Sequence, residues 1–328
     1  MSHAEHQRAT RRLGPDETIE AGRLLAAGRL VAFPTETVYG LGADATDGLA
    51  IAALYAAKGR PSFNPLIAHA ASADDALKLG LFNANARRLA EAFWPGPLTI
   101  VVPTSPDGSV SDIARSGLPS LALRVPDHAL ARAVLAAAGR PIAAPSANLS
   151  GRVSPTTASH VLDDLDGRID AVIDGGPTAV GVESTIVACL GEEVRLLRPG
   201  GLARDAIEAV LGRPLVTVEE NERPIAPGLL ASHYAPNAAV RLDARSVGPG
   251  EALLAFGPLP GGADQAAAIE NLSPSGDLAE AAARLFAALR ALDASGAPTI
   301  AVAPIPSTGL GEAIRDRLVR ASAPRTTP

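Results

Sequence analysis

Residues 121–148 read LALRVPDHALARAVLAAAGRPIAAPSAN, and the order of apolar and turn residues in this stretch decides the fold class. Leu121–Val125 is a short apolar run closed by Pro126, as a buried strand should be. Asp127–Ala138 places apolar residues at helical spacing and is ended by Gly139. Ile142–Ala144 is again short and apolar, and it delivers a hydroxyl and an amide in Pro145-Ser146-Ala147-Asn148. Apolar strands separated by a helix need both sheet faces covered, which predicts an α/β protein.

The same alternation continues in both directions. Upstream, helices are predicted over Asp16–Ala27 (ended by Gly28), Gly48–Ala57 and Asn83–Phe93 (stopped by Pro95). Strands are predicted over Leu30–Phe33, Pro65–Ala70 and Leu98–Val102. Downstream come a helix near Thr156–Leu165, strands over Ala171–Ile173, Ser184–Ala188 and Val194–Leu197, and a closing helix over Gly201–Leu211. Such a mixture predicts a sheet in which some neighbouring strands are antiparallel. Glu219–Pro236 is rich in Pro, Glu and Asn without periodicity, as a linker is. Beyond it lies a smaller α/β pattern, with strands over Val240–Leu242, Leu253–Phe256 and Thr299–Ala303 and helices over Leu278–Leu292 and Glu312–Ala321. The expected organisation is a first domain over 15–211, a linker over 212–237 and a second domain over 238–328. Met1–Pro15 reads as a polar, frayed tail.

Composition narrows the function classes. Hydrophobic residues make up 47% of the chain and charged residues 20%, enough apolar material for a sizeable core in each of two domains. A single cysteine, Cys189, excludes a disulfide framework and a thiolate metal cluster, and it fits a reducing, cytoplasmic setting. Every long uncharged stretch is cut by Pro or Gly, so no membrane span is expected. The formal net charge of −6 argues against a general nucleic-acid binder. Of 29 basic residues only Lys58 and Lys78 are lysines, so a chain that writes positive charge as arginine keeps an ammonium at position 58.

The familiar nucleotide and hydrolase signatures do not occur. Gly40-Leu41-Gly42 is separated from its strand by Pro34–Tyr39, whereas a dinucleotide loop turns straight from strand to helix. What remains is a set of polar residues at the ends of apolar strands, where α/β proteins hold ligands. Pro34–Gly42 reads as a glycine-rich loop with two hydroxyls, a carboxylate and a phenol. Lys58-Gly59-Arg60-Pro61 has two readings: cations complementing a helix C-terminus, or a phosphate clamp. Ser184-Thr185, Arg198-Pro199-Gly200, His69 and Arg124 repeat the strand-end placement. Gly309-Leu310-Gly311 reads as a turn into the last helix.

Pro34–Gly42, Lys58-Gly59-Arg60-Pro61 with Asn64-Pro65-Leu66, Trp94–Thr99, Pro145–Asn148, Gly181–Thr185 and Leu197–Gly200 resemble, in order and spacing, the YrdC/Sua5 family. The likeness runs from about Pro15 to Leu211 and continues in Pro227-Gly228, His233-Tyr234-Ala235-Pro236 and Gly311–Leu318, which marks the long, Sua5-type form. It implies a YrdC-like twisted mixed sheet with flanking helices, followed by a smaller Rossmann-like Sua5 domain. It also implies synthesis of threonylcarbamoyl-AMP from L-threonine, bicarbonate and ATP, with Mg²⁺ accompanying ATP. In that reading a threonine-derived carbamate attacks the α-phosphate and expels pyrophosphate, so the protein must position an anion and neutralise phosphates rather than supply an acid–base pair.

The resemblance assigns roles residue by residue. Lys58, Arg60, Ser146, Asn148, Ser154 and Arg198 are implied to hold ATP, and Tyr234 to close over it as part of a lid. Thr35, His69, Arg124, Ala144 and Ser184 are implied to surround threonine, with Arg124 on its carboxylate. Leu229-Leu230-Ala231-Ser232 departs from the family's usual Met-Lys-Tyr-like residues, and Arg115 stands where relatives often carry a threonine, so no role is transferred to it. The implied recipient of the product is the transferase that modifies adenosine 37 of tRNA. Three rival readings exist: a double-stranded-RNA-binding module, which also leaves direct tRNA binding open; the carbamoyltransferase of hydrogenase maturation, whose zinc modules find no counterpart in this sequence; and a second domain that serves only as an interaction module.

Overall fold

The computed structural model describes residues 9–217 and 233–324. The first domain opens on β1 (Arg11–Leu13) and α1 (Thr18–Ala26), then runs β2 (Val31–Pro34), β3 (Tyr39–Asp44) and α2 (Gly48–Lys58). There follow β4 (Ile67–His69), α3 (Ala73–Leu77), α4 (Ala84–Phe93), β5 (Leu98–Pro103), β6 (Ser120–Arg124), α5 (Ala129–Ala138) and β7 (Ile142–Ala143). It closes with α6 (Ala158–Leu165), β8 (Ala171–Ile173), β9 (Thr185–Ala188), β10 (Arg195–Arg198), α7 (Arg204–Leu211) and β11 (Val216–Thr217). Side-chain caps set several helix starts: Asp47 accepts from the Leu49 amide at 2.8 Å and Asn83 from the Ala86 amide at 2.9 Å. Gly59, at φ +59°, ends α2 in the left-handed conformation that favours glycine.

These strands form one sheet in the order β1-β8-β2-β3-β7-β4-β6-β5-β9-β10-β11. The sheet is mixed, as expected: β4 pairs parallel to β6, whereas β7 pairs antiparallel to both β3 and β4. Thus β6 and β7, joined through α5, are separated by β4 and run in opposite directions. Helices cover both faces. On one face α1 and α5 pack so closely that a Cβ on Gly22 would lie 2.5 Å from the Ala137 Cβ, with Leu25, Phe33, Val134 and Leu135 buried around them. The other face carries the larger core, including Leu41, Ile51, Leu54, Leu89, Val161 and Ile207.

Two expectations are corrected. Arg11–Leu13 is not part of a frayed tail but an edge strand parallel to β8, where Leu13 is buried. Of Pro34–Gly42, read as a glycine-rich loop, Thr35–Val38 does form a turn, but Pro34 ends β2 and Tyr39–Gly42 belongs to β3, antiparallel to β2. Glycines are poor strand formers, but a Cβ on Gly42 would lie 2.8 Å from the Phe33 ring, so the close approach of neighbouring side chains requires glycine there.

The second domain is a four-stranded parallel sheet, ordered β12 (Ala239–Arg241), β15 (Thr299–Val302), β13 (Ala252–Ala255), β14 (Ile269–Asn271). Its two α-helices are α8 (Leu278–Ala294) and α9 (Leu310–Ser322). Gly309, at φ +56°, turns the chain into α9. The two domains share a core: Val38, Val153 and Val182 of the first pack with Leu285, Phe286 and Ile314 of the second. Arg290 donates to Asp164 at 2.7 Å, and Arg204 pairs with Glu312 at 2.5 Å. The linker expected over 212–237 begins with β11, parallel to β10; its central part, with Pro227-Gly228 and Leu229–Ser232, lies outside the described residues.

Candidate active site

Strand ends build one cavity. β4 ends on His69 and β6 on Arg124, and parallel pairing puts the two residues in register. β2 ends at Pro34, and the following turn is held by Thr35 Oγ1, which donates to the Val38 carbonyl at 2.8 Å and contacts Thr37 Oγ1 at 2.8 Å. β7 runs into Pro145–Asn148, tied to β3 through the Ala147 amide on the Tyr39 carbonyl at 2.8 Å. β10 ends on Arg198, whose guanidinium donates to the Ser184 carbonyl at 2.8 Å and the Ser184 hydroxyl at 3.3 Å.

Of the predicted residues, Thr35, Arg60, His69, Arg124, Ala144, Ser146, Ser184, Arg198 and Tyr234 line this cavity together. Lys58, Asn148 and Ser154 do not line it; they stand behind its wall. The Lys58 ammonium is buried and donates to the carbonyls of Ser146 and Asn148, each at 2.5 Å. Its position therefore fixes the loop that presents Ser146. The Asn148 amide donates to the carbonyls of Leu149 and Arg152 at 2.7 and 2.9 Å. Ser154 donates to Glu183 Oε1 at 2.5 Å. Arg115 lies away from the cavity and bonds Asp112 and the Leu118 carbonyl.

The cavity carries standing positive charge. Arg60 donates to the carbonyls of Asn64 and Pro65, and Arg198 to Ser184; these partners are neutral. Burial pushes the Arg60 guanidinium down to about 10 and lowers Arg198 and, more strongly, Lys58. An anion bound among these groups would relieve that cost. Arg124 differs, since it pairs with Glu36 at 2.7 Å and donates to Thr37 Oγ1 at 2.9 Å. His69 is pushed down to about 3, first by burial and then by Arg124, so its ring is neutral.

Three polar cavity residues were given no role from the sequence. Thr37 was counted only as one hydroxyl of the Pro34–Gly42 stretch, and it lies in the turn between β2 and β3. His233, at the start of the second described segment, is buried against Tyr234 with ring centroids 4.0 Å apart. Glu183 is a carboxylate in a cationic pocket, and its partner Arg317 is 134 positions away in sequence, so no local pattern signals it. Among the described residues no cluster of three or more His, Cys, Asp or Glu side chains could hold a metal ion. Both Glu183 oxygens are engaged, by Ser154 and Arg317, which leaves this carboxylate poorly suited to bind a cation.

Comparison with known proteins agrees with this architecture. Residues 23–200 match the Sua5/YciO/YrdC family model, described as "telomere recombination", and residues 202–323 match the threonylcarbamoyl-AMP synthase C-terminal domain. The chain belongs to the Sua5/YrdC family. It is 42% identical to the threonylcarbamoyl-AMP synthase of Bacillus subtilis (strain 168), covering 93% of each chain. The crystal structure of Pyrococcus abyssi Sua5 complexed with L-threonine superposes with a TM-score of 0.86 at 38% identity, covering 95% of this chain and 97% of that one. Escherichia coli YciO, at 19% identity and a TM-score of 0.53 over 58% of this chain and 95% of that one, shares the fold of the first domain. The expected family and fold class are thereby borne out, with a mixed sheet followed by a smaller parallel α/β domain.

Proposed function

We propose that this chain is a threonylcarbamoyl-AMP synthase, joining L-threonine, bicarbonate-derived CO2 and ATP with release of pyrophosphate. The observation that carries the reading is the convergence of Arg60, Arg124 and Arg198 with the hydroxyls of Thr35, Ser146 and Ser184 on one cavity. Among the described residues the hydrogen-bond partners of Arg60 and Arg198 are neutral, which suits these guanidiniums to a polyanion. In this reading Arg60 and Arg198 meet the phosphates, and Arg124, braced by Glu36 and Thr37, meets the threonine carboxylate. The nucleophile is already an anion, so a neutral His69 is consistent with a positioning role. Lys58 acts from behind the wall by holding the Ser146 loop.

Mg²⁺ bound with ATP would supply neutralisation of phosphate charge; with no carboxylate cluster among the described residues to hold it, phosphate oxygens and water would be its ligands. Tyr234, buried at the cavity edge, excludes water from a product that is a hydrolysable mixed anhydride. Such a product requires an acyl acceptor close at hand, and the tRNA-modifying transferase that attaches threonylcarbamoyl to adenosine 37 is the proposed recipient. Among the described residues no helix is long and apolar enough to cross a membrane. The test is to measure pyrophosphate release with ATP, bicarbonate and each amino acid in turn. L-Threonine is expected to stimulate release; no stimulation would refute the activity.

A further inference from the structure

The second domain sends one side chain into the wall of the site. Arg317, on α9, is fully buried, and its Nε donates to Glu183 Oε2 at 2.8 Å. Its Nη1 donates to the Pro199 carbonyl at 2.9 Å, next to Arg198, and to Asp316 at 2.6 Å. The guanidinium carbon lies 5.2 Å from the centre of the Tyr234 ring. Glu183 lines the cavity and accepts from Ser154 with its other oxygen. One cation of the second domain thus touches the cavity's acid, the backbone beside one of its arginines, and the tyrosine at its edge.

Glu183 sets an electrostatic problem, because the proposed substrate is itself a polyanion. We propose that Arg317 is a positioning residue that neutralises Glu183 and so keeps the cavity receptive to ATP phosphates, which makes the second domain part of the nucleotide site. This rests on the reading of the cavity as an ATP site. The groups facing Glu183 are Arg317, Arg198, Ser154, His233 and Tyr234, with Asp316 behind Arg317. Burial alone would raise the Glu183 carboxyl, but Arg317 and Arg198 outweigh it and hold the group below its ordinary range. With Arg317 truncated, only Arg198 and Ser154 oppose the cost of burial, and the Glu183 carboxyl moves up. Glu183 would then be neutral at the acid end of the working range and an opposed anion at the alkaline end.

The experiment measures initial rates of L-threonine-dependent pyrophosphate release against ATP between about pH 6 and pH 9. Wild type, Arg317→Lys, Arg317→Met and the double variant Arg317→Met/Glu183→Gln are compared. The KM for ATP of Arg317→Met, divided by that of wild type at each pH, is expected to climb at least about tenfold toward the alkaline end. The ratio should be flat for Arg317→Lys, which keeps the charge, and flat for the double variant, which removes the acid. A purely structural role would lower the rate alike at every pH and would not be repaired by Glu183→Gln. If Arg317→Met does not fold, Arg317→Gln takes its place with the same expected limb. A flat ratio in the uncharged variant, or a limb persisting in the double variant, overturns the inference while an active wild type leaves the site assignment standing. A wild type that shows no threonine-stimulated release removes the site assignment and this inference with it.

Discussion

Lys58→Arg is the substitution in which the geometry predicts the largest effect from the smallest change of charge. Lys58 is buried, and its ammonium sits between two carbonyls of the Ser146–Asn148 loop at 2.5 Å each. A guanidinium is planar, wider and one bond longer in reach, so it cannot occupy a place shaped for a point donor without displacing the loop. Overpacking a buried site costs about 1–3 kcal/mol, and each carbonyl left unpaired about 1–3 kcal/mol more. Even a loss of about 2 kcal/mol lowers the midpoint of a domain this size by roughly 4–8 °C. The effect on turnover should be larger, because a shift of about 1 Å in a positioning loop can cost on the order of a hundredfold. The assay pairs a thermal melt with kcat for threonine-dependent pyrophosphate release. Lys58→Met, which fills similar volume but deserts both carbonyls, should also lose turnover. Near-normal kcat in Lys58→Arg would refute the claim that a compact donor at this position shapes the site.

Two further outcomes follow from buried groups elsewhere. His69 and His233 are both pushed down to about 3 by burial, against about 6.5 in an unfolded chain. The unfolded state therefore binds more protons between those values, so stability is full above about pH 6.5 and falls as pH drops toward 3, by several kcal/mol for each histidine. Unfolding midpoints measured between pH 7 and pH 4 should show this slope, and His233→Gln should remove about one proton's share; an unchanged slope would count against the assignment. Gly181 is at φ +77°, and a Cβ there would lie 2.3 Å from the Ala282 carbonyl oxygen on α8. Gly181→Ala should thus cost on the order of 2–4 kcal/mol by backbone strain and by forcing the domains apart, read as a lower melting midpoint; an unaltered midpoint would show that the interface yields freely.

The strands legible in the sequence were those whose burial is written locally. Ala171–Ile173 matches β8 end to end, and Asp127–Ala138 differs from α5 only in its first turn. β3 was hidden because Gly40 and Gly42 look like turn residues, and only the facing Phe33 and Ala144 side chains explain why glycine is needed in the strand. The same holds for β1, whose two arginines conceal a single buried contact at Leu13. Within the site, hydroxyls and cations at strand ends could be collected from sequence order, since α/β sheets gather such ends on one edge. Their division of labour could not. Whether Lys58 faces the cavity or the loop behind it depends on the direction of one side chain, and the partner of Glu183 lies in another domain.

That distant partnership explains how the cavity edge is held. Tyr234 adopts φ +61°, a left-handed conformation that costs a residue with a side chain about 1–3 kcal/mol. Its ring stacks on Phe286 of α8 at 5.6 Å and lies under Arg317 of α9, so contacts from the second domain offset the strain. The first domain adds the Ala235 amide on the Gly151 carbonyl at 2.9 Å. Tyr234 therefore keeps its place only while both domains grip it. Because Arg317 is also the counter-ion of Glu183, the charge balance of the pocket and the closure of its edge rest on the same guanidinium. Loosening the domain interface should disturb phosphate binding and water exclusion together, even though no part of the second domain's sheet lies in the cavity wall.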